Sequence, residues 1–466
     1  MSALDHAPRF DAALLTRYDH AGPRYTSYPT APHFHAGFGE AEYRAQAQAS
    51  NGEPIPRSLS LYVHVPFCES PCFYCGCTRI ITRDHSRADT YLERLHREIG
   101  LQGELFDRDR KVQQLHFGGG TPNFLDARQM HALLDAISGS FTLERGDARQ
   151  FSIEIDPRHA DAATMRQLAS LGFNRASFGV QDLDPRVQAA INRIQPLERT
   201  LDVVDGGRAA GFRSLSVDLI YGLPLQTRDA FARTVEQVAA FRPDRVALYS
   251  YAHLPDVFKA QKQIRAEDLP DPATKLALFG DALAALTSAG YRYIGMDHFA
   301  LPDDELSRAQ DDGTLQRNFQ GYSTHADCDL VGLGVSSIGR IGDAYAQNSR
   351  DLVGYYAALD NHRLPVVKGL VMDADDRVRG AAIQALMCLG TLDVRAFERR
   401  HGVDFATYFA DSLERLAPLA ADGLVALSPG RIDVTPRGRL LLRPIAMCFD
   451  AWLGRPIARP RFSRVI

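Results

Sequence analysis

Short apolar runs alternate with longer amphipathic stretches through most of the chain. The runs SLYVHV (60–65), VQQLHF (112–117), FSIEI (151–155), RASFGV (175–180), SLSVDLIY (214–221) and RVALYSY (245–251) have the length and β-branched or aromatic content of strands. YRYIGM (291–296) is a further candidate. Between them, RADTYLERLHREIGLQGELF and RDAFARTVEQVAAF place apolar residues at helical spacing. ATMRQLASLGFN ends in the glycine that closes a helix before the next strand. Repeated units of this size predict right-handed crossovers and a parallel sheet. No G-x-G-x-x-G follows a strand, so the α/β pattern predicts a partial (β/α) TIM-like barrel rather than a doubly wound sheet.

Two regions break the alternation. Residues 1–57 are irregular, with Pro, Gly and aromatics in GPRYTSYPTAPHFHAGF, and read as an N-terminal segment or flap. Beyond residue 365 the chain turns to helices and a hairpin, DGLVALSPGRIDVTPRGRLLL. The expected organisation is therefore a segment at 1–57, a barrel at 58–365 and a mostly helical C-terminal domain at 366–466 that covers the substrate site. The last could be winged-helix-like or a plain cap.

Composition narrows the function classes. With 53 Lys and Arg against 57 Asp and Glu, the net charge of −4 gives no general case for a nucleic-acid partner. No apolar run approaches the roughly 18 residues of a membrane span. The opening MSALDHAPRFDAALLTRYDH is too polar for a secretory signal, which makes the cytoplasm the expected location. There thiols stay reduced, and seven cysteines do not suggest a disulfide framework.

Four of those seven, Cys68, Cys72, Cys75 and Cys77, fall within ten residues directly after the first strand. A four-cysteine zinc site is one reading, but such sites typically use two separated ligand pairs and no second pair lies nearby. Buried structural thiols rarely gather four to a loop. Iron–sulfur centres take closely spaced thiolates, and three ligands in C-x3-C-x2-C would leave one iron open to an external molecule. The last reading explains the spacing best. Downstream, Gly118, Gly119, Gly120 and Thr121 end the second strand, where glycines allow close backbone approach and offer N–H groups to an anion. Glu154 alternates with Ile153 and Ile155; if those isoleucines face outer helices, it points into the barrel and needs a partner, either a ligand or an arginine. Gln181, Asp218 and Ala252 lie at or near later strand ends, the face where barrel active sites collect.

The cysteine loop resembles the signature of radical S-adenosylmethionine (SAM) enzymes. The ordered series PRYTSYPTAP, YVHVPFC, PCFYCGC, HFGGGTP, SIEIDPR, SFGVQD, NRIQP, DLIYGLP, LYSYAHLP and NFQGYST extends the resemblance to the oxygen-independent coproporphyrinogen III oxidases over roughly residues 15 to 460. The resemblance implies that Cys68, Cys72 and Cys75 ligate a [4Fe–4S] cluster whose fourth iron binds SAM. Cys77 would be a fourth family cysteine that is not a ligand and, with Gln320, a catalytic candidate. Tyr62, Gly119, Glu154, Arg193 and Ile338 correspond to contacts of the cluster-bound SAM. Tyr74, Gly120, Thr121, Gln181, Asp218 and Ala252 correspond to contacts of a second SAM; at position 74 the family often has Phe. Arg193, taken alone, reads more readily as a surface residue.

The implied reaction decarboxylates two propionates of coproporphyrinogen III oxidatively to vinyl groups. It requires an electron donor for the cluster and an acceptor that no motif identifies. Gln320 is expected to line the pocket, and Arg24 and Tyr25 to belong to a flap over it. Four propionates call for basic groups, and residues 431–466 hold eight Arg (431, 437, 439, 443, 455, 459, 461, 464) against Asp433 and Asp450. A solvated tail is the competing reading of that run. Cys328, Cys388 and Cys448 read as ordinary thiols, and a monomer is expected. Two other functions compete. One is a heme-binding chaperone of the same superfamily, whose members generally lack the counterpart of Cys77 and the PRYTSYPTAP segment. The other is a zinc knot with a nucleic-acid-binding hairpin, supported only by the basic tail.

Overall fold

The alternation resolves into a singly wound sheet. The computed structural model describes residues 7–325 and 328–455. Strands β1 (Leu59–Val65), β2 (Lys111–Gly119), β3 (Gln150–Ile155), β4 (Arg175–Gln181), β5 (Ser214–Tyr221) and β6 (Arg245–Ser250) pair in chain order, all parallel. Strand β7 (Asp329–Leu333) adds to the free edge of β1, also parallel. Strands β8 (Ile338–Ile341), β9 (Ala344–Asn348) and β10 (Val366–Val371) continue from it antiparallel. From β1 to β6, neighbours in sequence are neighbours in the sheet, which is the winding of a partial barrel and not of a doubly wound fold.

Helices cover one face. Ser86–Gly103 buries Ala88, Tyr91, Leu92, Leu95 and Ile99 along one stripe. Ala127–Ser140 and Ala162–Ser170 start from Asp126 and Asp161, whose side chains accept from the N–H groups of Gln129 and Thr164. Against these helices pack Leu61, Val63, Leu115, Phe117, Ile153 and Ile155. The intervening residues must then face the opposite side. Register sets Tyr62 beside His116, His116 beside Ser152, Glu154 beside Ser177, and Gly179 beside Asp218. One polar row crosses the sheet.

The chain divides into two compact units. One is Phe34–Asp271 with Asp327–Val371, which holds strands β1 to β10; the other is Met1–His33, Pro272–Ala326 and Met372–Ile466. The second unit contains the run expected as a further strand. Residues Arg292–Gly295 do form a strand, but it turns back antiparallel onto His298–Ala300 instead of feeding another β–α repeat. Gly295, Met296 and Asp297 all take positive φ there, so the chain reverses at once. The true seventh parallel strand is β7. Its unit also needs Asp329, which accepts from Arg110 at 2.6 Å and from the Gly342 N–H at 2.9 Å. In the second unit the expected C-terminal hairpin is Val425–Ser428 with Arg431–Val434, extended to three strands by Thr391–Asp393. Among the described residues no helix is long and apolar enough to cross a membrane.

Candidate active site

The cysteine loop leaves β1 at the C-terminal edge of the sheet and is held from several sides. Arg79 donates to the carbonyls of Cys75 (3.0 Å) and Cys72 (3.1 Å), closing the loop on itself. Phe73 N–H donates to the Ile191 carbonyl, Asn192 to that of Pro71, and Gln261 to that of Tyr74. Phe73 and Tyr74 pack against Val187, Ile191, Ile220, Leu223, Tyr251 and Ile264. The Phe258 ring covers Gly76 so closely that a Cβ there would lie 2.9 Å from it.

Each of the three sulfurs in C-x3-C-x2-C receives a hydrogen-bond donor. Thr121 Oγ1 donates to Cys68 Sγ at 3.2 Å. Arg193 Nη1 and Arg158 Nη2 approach Cys72 Sγ at 3.5 and 3.6 Å. The Cys77 N–H donates to Cys75 Sγ at 3.4 Å. The Cys77 thiol, against the opposing pull of burial, lowers the Cys75 thiol to about 6, with Arg79 and then the Cys77 N–H contributing further. Burial pushes Cys68 up to about 11, with the Thr121 bond acting the other way. Donors aimed at sulfur stabilise thiolates. Thiolates are the iron ligands of Fe–S centres, so this donor set fits a [4Fe–4S] cluster. Cys77 is exposed and offers the loop its backbone N–H.

Behind Cys72 lies a buried ion cluster that sequence reading left as a lone arginine. Arg193 is 5% exposed; its Nη1 and Nη2 meet both oxygens of Asp156 at 3.1 and 3.2 Å, and Nη2 also donates to the Gly179 carbonyl at 2.6 Å. Arg158 binds the same carboxylate at 2.6 Å. Burial would raise Asp156, yet Arg193 and then Arg158 hold it well below the usual carboxylate range. Arg193 is thus buried, not superficial. Asp156 and Arg158 were in view within SIEIDPR but carried no spacing that marks a clamp.

The glycine run works by its lack of side chains. A Cβ on Gly119, at φ 115°, would strike the His64 ring at 2.6 Å, and one on Gly120 would meet the Phe67 carbonyl at 2.7 Å. Its N–H groups are engaged: Gly119 donates to Glu154 Oε2 (3.2 Å), Gly120 to Val65 O and Thr121 to Phe67 O (both 2.8 Å). The anion-binding role expected of the Gly119, Gly120 and Thr121 amides is therefore taken by the protein itself. Glu154 faces the polar side as expected, and its partner is a histidine rather than an arginine: His116 Nε2 lies 3.3 Å from Oε1. Burial pushes Glu154 up, but His116 and the Gly119 N–H outweigh it and its pKa is lowered. His116 also meets Ser152 Oγ at 2.6 Å and stacks on Tyr62, whose hydroxyl meets His64 Nδ1 at 3.1 Å.

Further along the row, Ser177 Oγ donates to Asp218 Oδ1 at 3.3 Å. Burial, then the Glu154 charge, pushes Asp218 up to about 7. The stability tied to its protonated form is present below 3.8 and is lost as pH rises through about 7. Asp218→Asn is accordingly expected to resist denaturant better than the parent protein at pH 8 and equally at pH 4, as chemical unfolding at the two pH values would measure. Gln181 is buried at a bulge with φ 71°, beside Gly179 and Arg193.

Ala252 is exposed just beyond β6, and Ile338 opens β8 opposite Gln347. Gln320 belongs to the second unit, at the turn between Gln316–Asn318 and Gly321–Ser323. Arg24, Tyr25, Arg439 and Arg443 are in that unit too, and the last three are buried, unlike a solvated tail. Arg459, Arg461 and Arg464 lie outside the described residues.

Comparison with known proteins agrees with this geometry. Residues 62–238 match the radical SAM superfamily, and residues 372–441 match the HemN C-terminal domain. An oxygen-independent coproporphyrinogen III oxidase of Pseudomonas aeruginosa is 52% identical, with 98% of this chain and 99% of the relative covered. One from Escherichia coli K12 is 47% identical, with 98% of each covered. The solved coproporphyrinogen III oxidase of Escherichia coli, a radical SAM enzyme, superposes with a TM-score of 0.90 at 44% identity, over 96% of this chain and 100% of the other. Radical SAM enzymes employ a [4Fe–4S] cluster and SAM, the groups that the thiols of Cys68, Cys72 and Cys75 suit. With identity of this extent over its full length, the chain belongs to the family of oxygen-independent coproporphyrinogen III oxidases.

Proposed function

We propose that this protein converts two propionates of coproporphyrinogen III to vinyl groups without O2, giving protoporphyrinogen IX for heme biosynthesis. The observation that carries the reading is the set of three thiols, each with a donor, standing at the strand ends beside the row Tyr62, His116, Glu154 and Asp218. The chemistry supplied by bound cluster and SAM is one-electron cleavage of the sulfonium to a 5′-deoxyadenosyl radical, which removes a β-hydrogen from a propionate before loss of a second electron and CO2 leaves the vinyl group.

The chain's own residues prepare that chemistry. Cys68, Cys72 and Cys75 each hold one iron. Glu154, kept ionised by His116 and Gly119, receives the amino group or ribose of the cluster-bound SAM, with Tyr62, Gly119, Arg193 and Ile338 as further contacts. Tyr74, Gly120, Thr121, Gln181, Asp218 and Ala252 serve a second SAM. At Gly119 and Gly120 the contribution is close approach, since the N–H groups are taken. Cys77 supports the loop through its N–H, and Gln320 serves the substrate. The bound cluster would require an electron donor and the reaction a separate electron acceptor, and the enzyme works as a cytoplasmic monomer.

Anaerobic turnover tests the reading. The reconstituted protein, with a strong reductant, SAM, coproporphyrinogen III and cell extract as acceptor source, is expected to form 5′-deoxyadenosine and protoporphyrin together and only with substrate. SAM cleavage without tetrapyrrole product would refute the assigned substrate. Neither product from a cluster-loaded protein would refute the activity and favour a heme-binding role.

A further inference from the structure

The second unit buries positive charge that the cluster chemistry does not use. Arg317, on the hairpin strand Gln316–Asn318, is 5% exposed. Its guanidinium lies over the Tyr322 ring at 4.9 Å, and Nε donates to the Arg24 carbonyl at 3.3 Å. Nη1 is buried with no hydrogen-bond partner, and among the described residues no salt bridge engages this side chain. At the turn of the same hairpin, Gln320 Nε2 is likewise buried and unpartnered, while its backbone N–H donates to Asn318 Oδ1 at 2.8 Å.

Two further guanidiniums stand close by. Arg443, 3% exposed, donates to the carbonyls of Pro23 (3.0 Å) and Gly22. Arg24 pairs with Asp297. Their mutual proximity is legible in what they do to neighbours. Burial, then Arg24, depresses Arg443 to about 10; burial, then Arg317, depresses His298 to about 4. The Gly321 backbone brings the hairpin turn beside that His298 ring, 3.8 Å from where a Cβ would stand. Buried donors left unpaired are costly, and guanidinium and amide N–H groups are both matched by a carboxylate, whose two oxygens can accept from more than one donor.

We propose that Arg317 Nη1 and Gln320 Nε2 form a carboxylate-binding site within a field supplied by Arg24 and Arg443, and that its ligand is a propionate arm of the tetrapyrrole. The inference rests on the substrate assigned under the proposed function. Arg317 is the specific donor, and Arg24 and Arg443 raise the local preference for an anion.

The test uses full-length holoenzyme and coproporphyrin III, the air-stable tetrapropionate, followed by fluorescence titration, with its tetramethyl ester as the uncharged comparison. Arg317→Gln is expected to weaken coproporphyrin III binding about ten-fold or more, the range for a lost charge-assisted hydrogen bond. Ester binding should stay equal in variant and parent. Arg317→Lys, which restores charge without the planar fork, is expected to recover part of the loss. Should Arg317→Gln fail to fold, Gln320→Met at the turn decides, with about three-fold weakening expected for one neutral bond. Equal affinity of parent and variants for coproporphyrin III would overturn the site. Turnover separates the two claims: a parent protein that converts coproporphyrinogen III while the variants bind unchanged refutes only the site. A parent that neither converts nor binds tetrapyrrole refutes the substrate itself, and the site's ligand with it.

Discussion

Cys72→Ala is expected to lose its iron–sulfur cluster and all measurable turnover, whereas Cys77→Ala is expected to keep the cluster. Cys72 is the most enclosed of the loop cysteines, and its sulfur is approached by two guanidiniums, Arg193 at 3.5 Å and Arg158 at 3.6 Å. Alanine there deletes one iron ligand and leaves both cations facing a void. Cys77 differs in kind. It is exposed, and of its two links to Cys75 alanine keeps the backbone N–H to Sγ and removes the bond made by the thiol. Iron and sulfide content with visible absorbance, measured on both variants after identical reconstitution, separates the roles. A cluster retained in Cys72→Ala, or lost in Cys77→Ala, would contradict the ligand assignment.

Asp156→Asn should produce a large loss of stability while leaving the cysteines intact. Its carboxylate is 7% exposed and compensates Arg193 and Arg158 together. Asparagine fills the same volume but leaves buried Arg193 and half-buried Arg158 without the carboxylate they share. Breaking one partner of a buried ion pair costs about 3–5 kcal/mol, because the remaining charge is stranded out of water. Denaturation of the cluster-loaded protein would register the change, and the electron paramagnetic resonance signal of the reduced cluster should shift as Arg193 and Arg158 leave Cys72. The pH dependence follows from the depressed carboxyl. The stabilising contribution is present above pH 3.8 and is lost only as pH falls further, through the lower folded value. The parent protein should therefore outlast Asp156→Asn across the neutral and mildly acidic range, with the gap closing in strong acid.

Legibility in the sequence followed the kind of force at work. Strands β1 to β6 were readable because each is a compact apolar run with a helix behind it. β7 was not: DLVGL is five residues long and lies nearly eighty residues after β6, so periodicity gave no reason to return it to the sheet. The reversal at Gly295–Asp297 was equally silent, since YRYIGM reads as a strand whichever way its neighbour runs. The cysteines were legible from spacing alone. What they require was not, because Arg79, the Asp156–Arg158 pair and Arg193 converge from three separate stretches of the chain and leave no local pattern. His116 could have been found. It follows the same alternation as Glu154, two strands' worth of period-two reasoning apart, and only the register between β2 and β3 joins them. Of the buried arginines of the second unit, Arg439 and Arg443 were visible only as part of a count in a basic tail, and Arg317 carried no signal at all.

The most direct test of the account follows hydrogen. Coproporphyrinogen III carrying deuterium at the propionate β-positions, turned over anaerobically with SAM, should deliver deuterium into 5′-deoxyadenosine as vinyl groups form. Deuterium-free 5′-deoxyadenosine accompanying normal vinyl product would contradict the claim that this site generates a radical to oxidise the propionates.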